Sequence, residues 1–381
     1  MNKPITNFAI DIDDQTQKQF DECCSQEYVH KASLMPDAHS GYVAPIGSVF
    51  YTKNYVVPAW VGYDIGCGMI ALKFKNIEMQ RINERKDEIY DLVKKTIPMG
   101  TGKVNHIKDV SDTTKKKFKE LLNKFREGKY DEDVYKFIKN KALSHLGSLG
   151  SGNHFIELNY FEDELWLVIH SGSRGIGKKA AKIYMIKSSN DENNYESTNP
   201  IKIDSKVGQE YMNLLDFGLD FALLNRMEMA YKLKDCLIQI FNKPEIDFEL
   251  WTNKNHNHAI YEKEYLVHRK GATPAKKGEK GVIPANMRDG SFLVEGLGNE
   301  RFLFSSSHGA GRKLSRSEAK KKFNLQEFQD SMSGIKGTVN ERTIDECPMA
   351  YKDIFEVMQA QKDSVRIIKH LKPIINWKGD N

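Results

Sequence analysis

The chain lacks any apolar run approaching the roughly 20 residues a membrane helix needs, and its mean hydropathy is −0.57. Its start, MNKPITNFAIDIDD, is too polar for a secretion signal. Cysteine is scarce: Cys23, Cys24, Cys67, Cys236 and Cys347 form an odd, irregular set in 381 residues. Such a set fits a reducing cytoplasm and argues against a disulfide scaffold. No fixed-period repeat occurs, which argues against solenoids and propellers. A large excess of one charge is missing too, since 57 Lys and Arg face 52 Asp and Glu. The resulting +5 permits a polyanionic partner without demanding one.

At 40% hydrophobic residues the chain can build a sizeable core. PIGSVFY, YVVPAW, MIALKF, ELWLVIH, YLVHRK, SFLVEG and RFLFSSS read as short strands rich in β-branched and aromatic residues. Apolar spacing of three or four predicts helices over EMQRINERKDEIYDLVKKT, TTKKKFKELLNKFREG, EYMNLLDFGLDFALLNRMEMAYKLKDCLIQIFNK and YKDIFEVMQAQKDSVRIIKHL. Residues 103–141 are Lys-rich and amphipathic, as expected of a solvated helical pair. Strands and helices alternate irregularly, which predicts mixed α/β architecture (α+β) with much antiparallel sheet. Polar, glycine-punctuated motifs run from Met35 to Lys378, so one catalytic domain over 1–381 is the simplest organisation.

Six of these motifs carry chemistry. MPDAHSG holds Asp37 and His39 on an extended segment, where a hydrogen-bonded turn is the plain alternative. Asp64-Ile-Gly-Cys67-Gly can curl a carboxylate and a thiolate to one point, a donor pair for Mn, Fe, Co or Zn. A buried, inert cysteine in a tight turn would explain it equally well. In Gly152-Asn153-His154-Phe155-Ile-Glu157 a regular strand separates His154 from Asn153, Phe155 and Glu157. They can serve one site only if the chain bends near Asn153. His170-Ser-Gly-Ser-Arg174-Gly places a histidine at a strand end and glycines at a helix start, with Arg174 as a phosphate fork.

Asn255-His256-Asn-His258 and Val267-His268-Arg269-Lys270 add further donors. In the latter, two basic groups beside a histidine suit triphosphate handling, and an edge strand protected by charge is the alternative. In SSSHGAGRKLSR, His308 follows a strand, and Arg312 and Arg316 are spaced to share a helical face. His308 beside phosphate-binding groups is a candidate nucleophile, general acid or cap. Taken together, a divalent and perhaps dinuclear site, a polyphosphate site and a histidine point to phosphoryl or nucleotidyl transfer.

The ordered set MPDAHSGYVAPIGSVF, VGYDIGCGM, SLGSGNHFIE, HSGSRGIG, FALLNR, VHRKGAT, SSSHGAGRKLSR and AYKDI resembles the RtcB RNA ligases from about Leu34 to Gly379. The resemblance implies an α/β fold with a β-sandwich-like core flanked by helices, two Mn²⁺ ions and GTP. It implies that Asp64, Cys67 and His154 hold one ion, and that a bridging Cys67 with His170 and His256 holds the other. His308 would take GMP from GTP and pass it to an RNA 3′-phosphate, which a 5′-hydroxyl then attacks; a 2′,3′-cyclic phosphate would first be opened. Asn153, Phe155, Glu157, Ser291, Ala310, Tyr351 and Lys378 would line the guanylate pocket, with Lys270 on its phosphate side. Arg174, Arg312 and Arg316 would bind phosphates of the RNA. The expected protein is a cytoplasmic monomer, without a membrane partner, serving tRNA splicing or RNA repair. Archease, which some family members need, is a candidate partner.

Departures from the family pattern include Asn286 in place of a serine, Val43 in place of a glycine, and a Gly379-Asp-Asn tail. None touches a proposed ligand. A metal-dependent RNA cyclic phosphodiesterase on the same scaffold is the competing reading, since it needs the ligands but not His308, Glu157 and Lys378 together. A non-catalytic RNA-binding protein would have no use for an intact ligand set.

Overall fold

In MIALKF, FIELNYF and ELWLVIH alternate residues point to opposite faces, and each segment forms a strand of one large antiparallel sheet. The computed structural model describes residues 3–379, so the Asp380-Asn381 tail lies outside the described residues. Seven strands of this sheet run in the order Lys280–Pro284, Ser291–Gly296, Val365–Lys378, Phe155–Phe161, Glu164–Ser171, Gly68–Lys75 and Asp247–Asn255. Lys336–Gly337 adds a short parallel partner to Val365–Lys378. The first and last strands approach each other: Trp251 Nε1 donates to Gly281 O at 3.1 Å and Thr252 Oγ1 to Lys280 O at 3.2 Å. The sheet is therefore curled nearly shut, which is the form the expected β-rich core takes.

One face packs Met69, Ala71, Phe155, Trp166, Val168 and Leu293 together. The other lays Ile70, Leu72, Ile156, Leu158, Leu167 and Ile169 against Leu233 and Leu237 of the helix Lys206–Phe241 and against Ile89 and Val93 of Lys86–Thr96. The helix Lys206–Phe241 is apolar on several sides, as expected for one covered by sheet and helices at once. Its start is capped by Ser205, whose side chain accepts from Gly208 N, and it ends at Asn242 in the left-handed region. The stretch expected to form one helix over EMQRINERKDEIYDLVKKT is broken in two at Arg85, whose guanidinium reaches Glu88 and Ile240 O.

The Lys-rich segment forms the expected helical pair, Asp112–Glu127 and Glu132–His145, capped by Ser111 and Asp131. A second sheet orders Ile5–Asn7, Val29–His39, Ile46–Thr52, Tyr265–Lys270 and Asn257–Glu262. Beside it, Ala272–Pro274 pairs with Ser305–Ser307 and delivers the chain to residue 308. Among the described residues no helix is long and apolar enough to cross a membrane.

Candidate active site

Gly150 and Gly152 adopt φ of +91° and +77°, and the regular strand begins only at Phe155. That is the bend His154 requires. His154 turns to Cys67 and Asp64, while Phe155 and Glu157 line a cavity of about 510 Å³. Asn153 lines the same cavity, and its carbonyl accepts from or faces His170 Nδ1 at 3.1 Å.

Five residues converge at the floor. Cys67 Sγ lies 3.4 Å from His154 Nε2 and 3.1 Å from His170 Nε2. His170 Nε2 lies 3.2 Å from His256 Nε2, and His154 Nε2 lies 2.8 Å from Asp64 Oδ2. They form two sets sharing the thiol: Cys67, His170 and His256, and Asp64, Cys67 and His154. His154 Nδ1 and His170 Nδ1 face the carbonyls of Leu149 and Asn153 at 3.1 Å each. A proton at each Nδ1 leaves the Nε2 lone pairs aimed at the thiol, an arrangement of metal-ligating histidines. Burial holds His170 and His256 well below the ordinary histidine value, so both are neutral. Burial and Asp64 push the Cys67 thiol well up, so a thiolate here requires added positive charge. Soft and hard donors around lone pairs with no internal cation fit a borderline divalent ion.

The floor is held from behind by Asn225 and Arg226 of the helix Lys206–Phe241. Asn225 Oδ1 accepts from Gly147 N at 2.8 Å, and its Nδ2 donates to Gly172 O at 3.1 Å. Arg226, fully buried, donates to Gly66 O at 3.0 Å, Ser171 O at 2.7 Å, and Asn253 and Asn255 Oδ1 at 2.7 Å each. Four ligand-bearing loops thus share one anchor.

His308 stands above this floor, its ring centroid 4.8 Å from that of His256. Its Nδ1 lies 2.7 Å from Oδ2 of Asp37, which also accepts from the backbone N–H of His308 and Gly309 at 3.1 and 3.2 Å. Burial opposes the charge of Asp37, but His308 and His39 hold its carboxyl below the ordinary value. The ring is thus oriented by a buried carboxylate with Nε2 left free of it. Sequence reasoning singled out Asp37 without giving it this role.

The opposite wall is charged and self-paired. Glu346, 2% exposed, accepts from Lys378 Nζ and Tyr351 OH at 2.6 Å each, from Arg316 at 2.5 Å and from Arg312 at 3.3 Å. Arg316 also reaches Asp345 at 2.5 Å. Burial works against the charge of Glu346, yet Lys378, Arg316 and Arg312 hold it at about 2. Neither Asp345 nor Glu346 was foreseen, although the Asp-Glu pair just before the AYKDI motif was the available signal. Beyond this wall, Glu157 accepts from Asn376 at 2.7 Å and Ser291 at 3.4 Å, and burial raises its carboxyl to about 7. Ser291 is fully buried behind Glu157, and Ala310 lines the cavity.

Three expectations are corrected. His268 and Arg269 do not reach the cavity: His268 Nε2 accepts from Val57 N at 3.0 Å, and Arg269 is buried against Glu262 at 2.6 Å and Ser305 at 2.8 Å. Only Lys270 faces inward, with burial lowering it to about 8. His258 is buried apart from the floor, and among the described residues neither ring nitrogen has a partner. Arg312 and Arg316 do not share a helical face, because a capping box of Ser315 and Glu318 starts the helix at Arg316; Glu346 joins them instead. Arg174 lies apart from that pair, its guanidinium over Gly150 and 3.3 Å from His154 Nδ1. Of the departures, Asn286 lines the cavity and accepts from Arg288 N and Asp289 N at 3.0 Å each, closing a local turn. Val43 packs against the apolar core.

A cavity floored by divalent-metal donors and walled by cations defines a candidate site for metal-assisted phosphoryl chemistry. The chain belongs to the RtcB family: a family model described as tRNA-splicing ligase RtcB matches residues 20–379. It is 33% identical to an RNA-splicing ligase RtcB of Escherichia coli (strain K12), covering 99% of this chain and 98% of that one. It is 29% identical to the tRNA-splicing ligase RtcB of Nanoarchaeum equitans (strain Kin4-M), over 91% of this chain and 87% of that one. The tRNA-splicing ligase RtcB of Methanococcus maripaludis is also 29% identical, over 92% and 88%.

Proposed function

We propose that this chain is a GTP- and Mn²⁺-dependent RNA ligase of the cytoplasm, joining RNA 3′-phosphate or 2′,3′-cyclic phosphate ends to 5′-hydroxyl ends. The observation carrying this reading is His308, held by Asp37 at 2.7 Å and set over the thiol and histidine cluster. With its Nδ1–H donating to the Asp37 carboxylate, His308 Nε2 attacks the α-phosphorus of GTP. A P–N bond forms, the α–β P–O bond breaks, and pyrophosphate leaves. The guanylyl group passes to the RNA 3′-phosphate; the 5′-hydroxyl then attacks that activated phosphate and GMP departs.

Asp64, Cys67, His154, His170 and His256 would hold two Mn²⁺ ions, which supply charge neutralisation at the phosphates. Glu157, as carboxylate, would accept from guanine N1–H and N2–H, with Asn153, Phe155, Ser291, Ala310, Tyr351 and Lys378 completing the pocket and Lys270 on its phosphate side. Arg312, Arg316 and Arg174 would carry RNA phosphates. A phosphodiesterase has no use for an oriented His308 and a buried Glu157 in the same cavity.

The test is His308→Ala. It should abolish covalent labelling by GTP yet still seal RNA supplied with a preformed guanylylated 3′-end. Parent-level labelling of the variant would overturn the nucleophile, and labelling without sealing would make His308 a general acid for the last step. A parent protein that never labels, but opens cyclic phosphates, would be the phosphodiesterase.

A further inference from the structure

Positive charge is not spread over this molecule. Residues 103–141 hold 12 Lys and Arg against seven Asp and Glu, and the helix Arg174–Ser189 holds five against none. The rest of the chain is left with 40 against 45, so outside these segments it is net acidic.

The two segments meet. The helix Glu132–His145 lies antiparallel to Arg174–Ser189: Asp131 pairs with Lys187 at 2.8 Å at one end. Lys179 Nζ sits 4.1 Å over the Phe137 ring in the middle, and at the other end His145 lies against Gly175. That last end abuts the metal floor, because Arg174 opens the second helix beside His154 and Asp64. Burial, then Arg174 and Lys141, depress the basicity of the half-buried His145, which puts two cations in one neighbourhood around a neutral imidazole. From there Lys178, Lys179 and Lys182 continue outward, all three exposed.

Helix stability does not account for these lysines. Arg174 stands in the first turn of Arg174–Ser189, where a cation is disfavoured, and Lys178, Lys179 and Lys182 follow it with no acid anywhere in that helix to pair with them. Lys141 and Lys178 have no ion-pair partner among the described residues, unlike Lys187, Lys124 and Lys136 in the same layer. A row of unneutralised cations running outward from beside the metal floor is complementary to a phosphodiester backbone.

We propose that the ridge formed by Lys141, Lys178, Lys179 and Lys182 is the docking surface for the body of the RNA, beyond the nucleotides whose ends react. RNA as the occupant rests on the ligase reading. The ridge binds backbone and not sequence, so it lets one cavity accept ends from RNAs of unrelated sequence.

The experiment uses the full chain with Lys141→Gln, Lys178→Gln and Lys182→Gln combined; Lys179 is kept because it packs on Phe137. Binding is read by fluorescence anisotropy without GTP, against a labelled stem-loop RNA and a trinucleotide, both ending in 3′-phosphate. The triple variant should bind the stem-loop about tenfold or more weakly at low salt, and its salt slope should fall by about 2 to 3. Trinucleotide binding, covalent labelling by GTP and thermal melting should match the parent. An unchanged stem-loop slope, or an equal loss for both RNAs, would overturn the ridge. So would loss of polyglutamate binding with RNA binding intact, which would assign the face to an acidic protein. A parent that binds the stem-loop but never labels with GTP would fail the ligase reading while leaving the ridge test in force.

Discussion

The floor and the charged wall of the cavity solve the problem of buried polarity in opposite ways. At the floor, Asp64, Cys67, His154, His170 and His256 point lone pairs at one another with no cation among them. At the wall, Lys378, Arg312 and Arg316 are already matched by Glu346 and Asp345. The floor is complete only with added positive charge; the wall is complete in itself and must exchange partners to bind an anion. Ligand loss should therefore register as lost metal at the floor and as lost stability at the wall.

Cys67→Ser tests the floor and should have the largest effect. A hydroxyl cannot replace a shared thiolate, so bound Mn²⁺ by elemental analysis and ligation should both fall by more than about 100-fold, the upper range for outer-shell partners alone. Urea unfolding of the metal-free protein should move by less than about 1 kcal/mol, the scale of a small buried substitution. A metal-free variant that unfolds far more easily would erase the distinction between the two regions.

Glu346→Gln tests the wall. Removing the carboxylate strands Lys378, which is 5% exposed, and should cost about 3–5 kcal/mol while Mn²⁺ content stays at the parent level. Because Glu346 is held at about 2 against an ordinary 4.5, its contribution is full above 4.5 and is lost as the pH falls towards 2. Equal stability of variant and parent at pH 7 would mean the wall is not self-compensated.

Glu157→Gln sharpens the comparison, since this carboxyl has neither a metal set nor a direct cation. Raised to about 7, it favours folding below its ordinary 4.5, and that advantage is lost as the pH rises through 7. The unliganded variant should match the parent at pH 4 and exceed it at pH 8 by up to about 3 kcal/mol. GTP affinity of the parent should climb through pH 7 as the acceptor ionises, and that climb should vanish in the variant. A pH-independent parent would remove Glu157 from base recognition.

Much of the floor was legible because its donors sit in short motifs where glycine permits the turn; a bend near Asn153 stood only as a condition for one site, and Gly150 and Gly152 supply it. The mixed α/β class followed from alternation and helical periodicity. The helix expected over YKDIFEVMQAQKDSVRIIKHL stops at Ala360, and Val365–Lys378 is a strand instead, because it is paired on both sides by Ser291–Gly296 and Phe155–Phe161; what else was not legible depended on distant pairing too. Whether His268, Arg269 or Lys270 faces the cavity is set by register with Ile46–Thr52, which the segment does not encode by itself. The partnership of Glu346 with Lys378 joins residues 32 apart through two different elements. The near closure of the large sheet depends on Trp251 meeting Gly281 and Thr252 meeting Lys280 across its ends, and no local pattern announces it.

The clasp formed by Asn225 and Arg226 has a consequence for motion. Local opening in a folded protein needs a segment whose contacts can be released without disturbing the rest. Here the loops carrying Cys67, His154, His170 and His256 are tied to the same turn of one buried helix. Freeing any one of them exposes a carbonyl or amide that this turn satisfies, and for the loops of Cys67, His170 and His256 it also leaves a buried guanidinium short of an acceptor. The ligand loops should therefore exchange their amides with the helix that holds them, and a metal bound there should leave by way of the open cavity and not by fraying of its own loops.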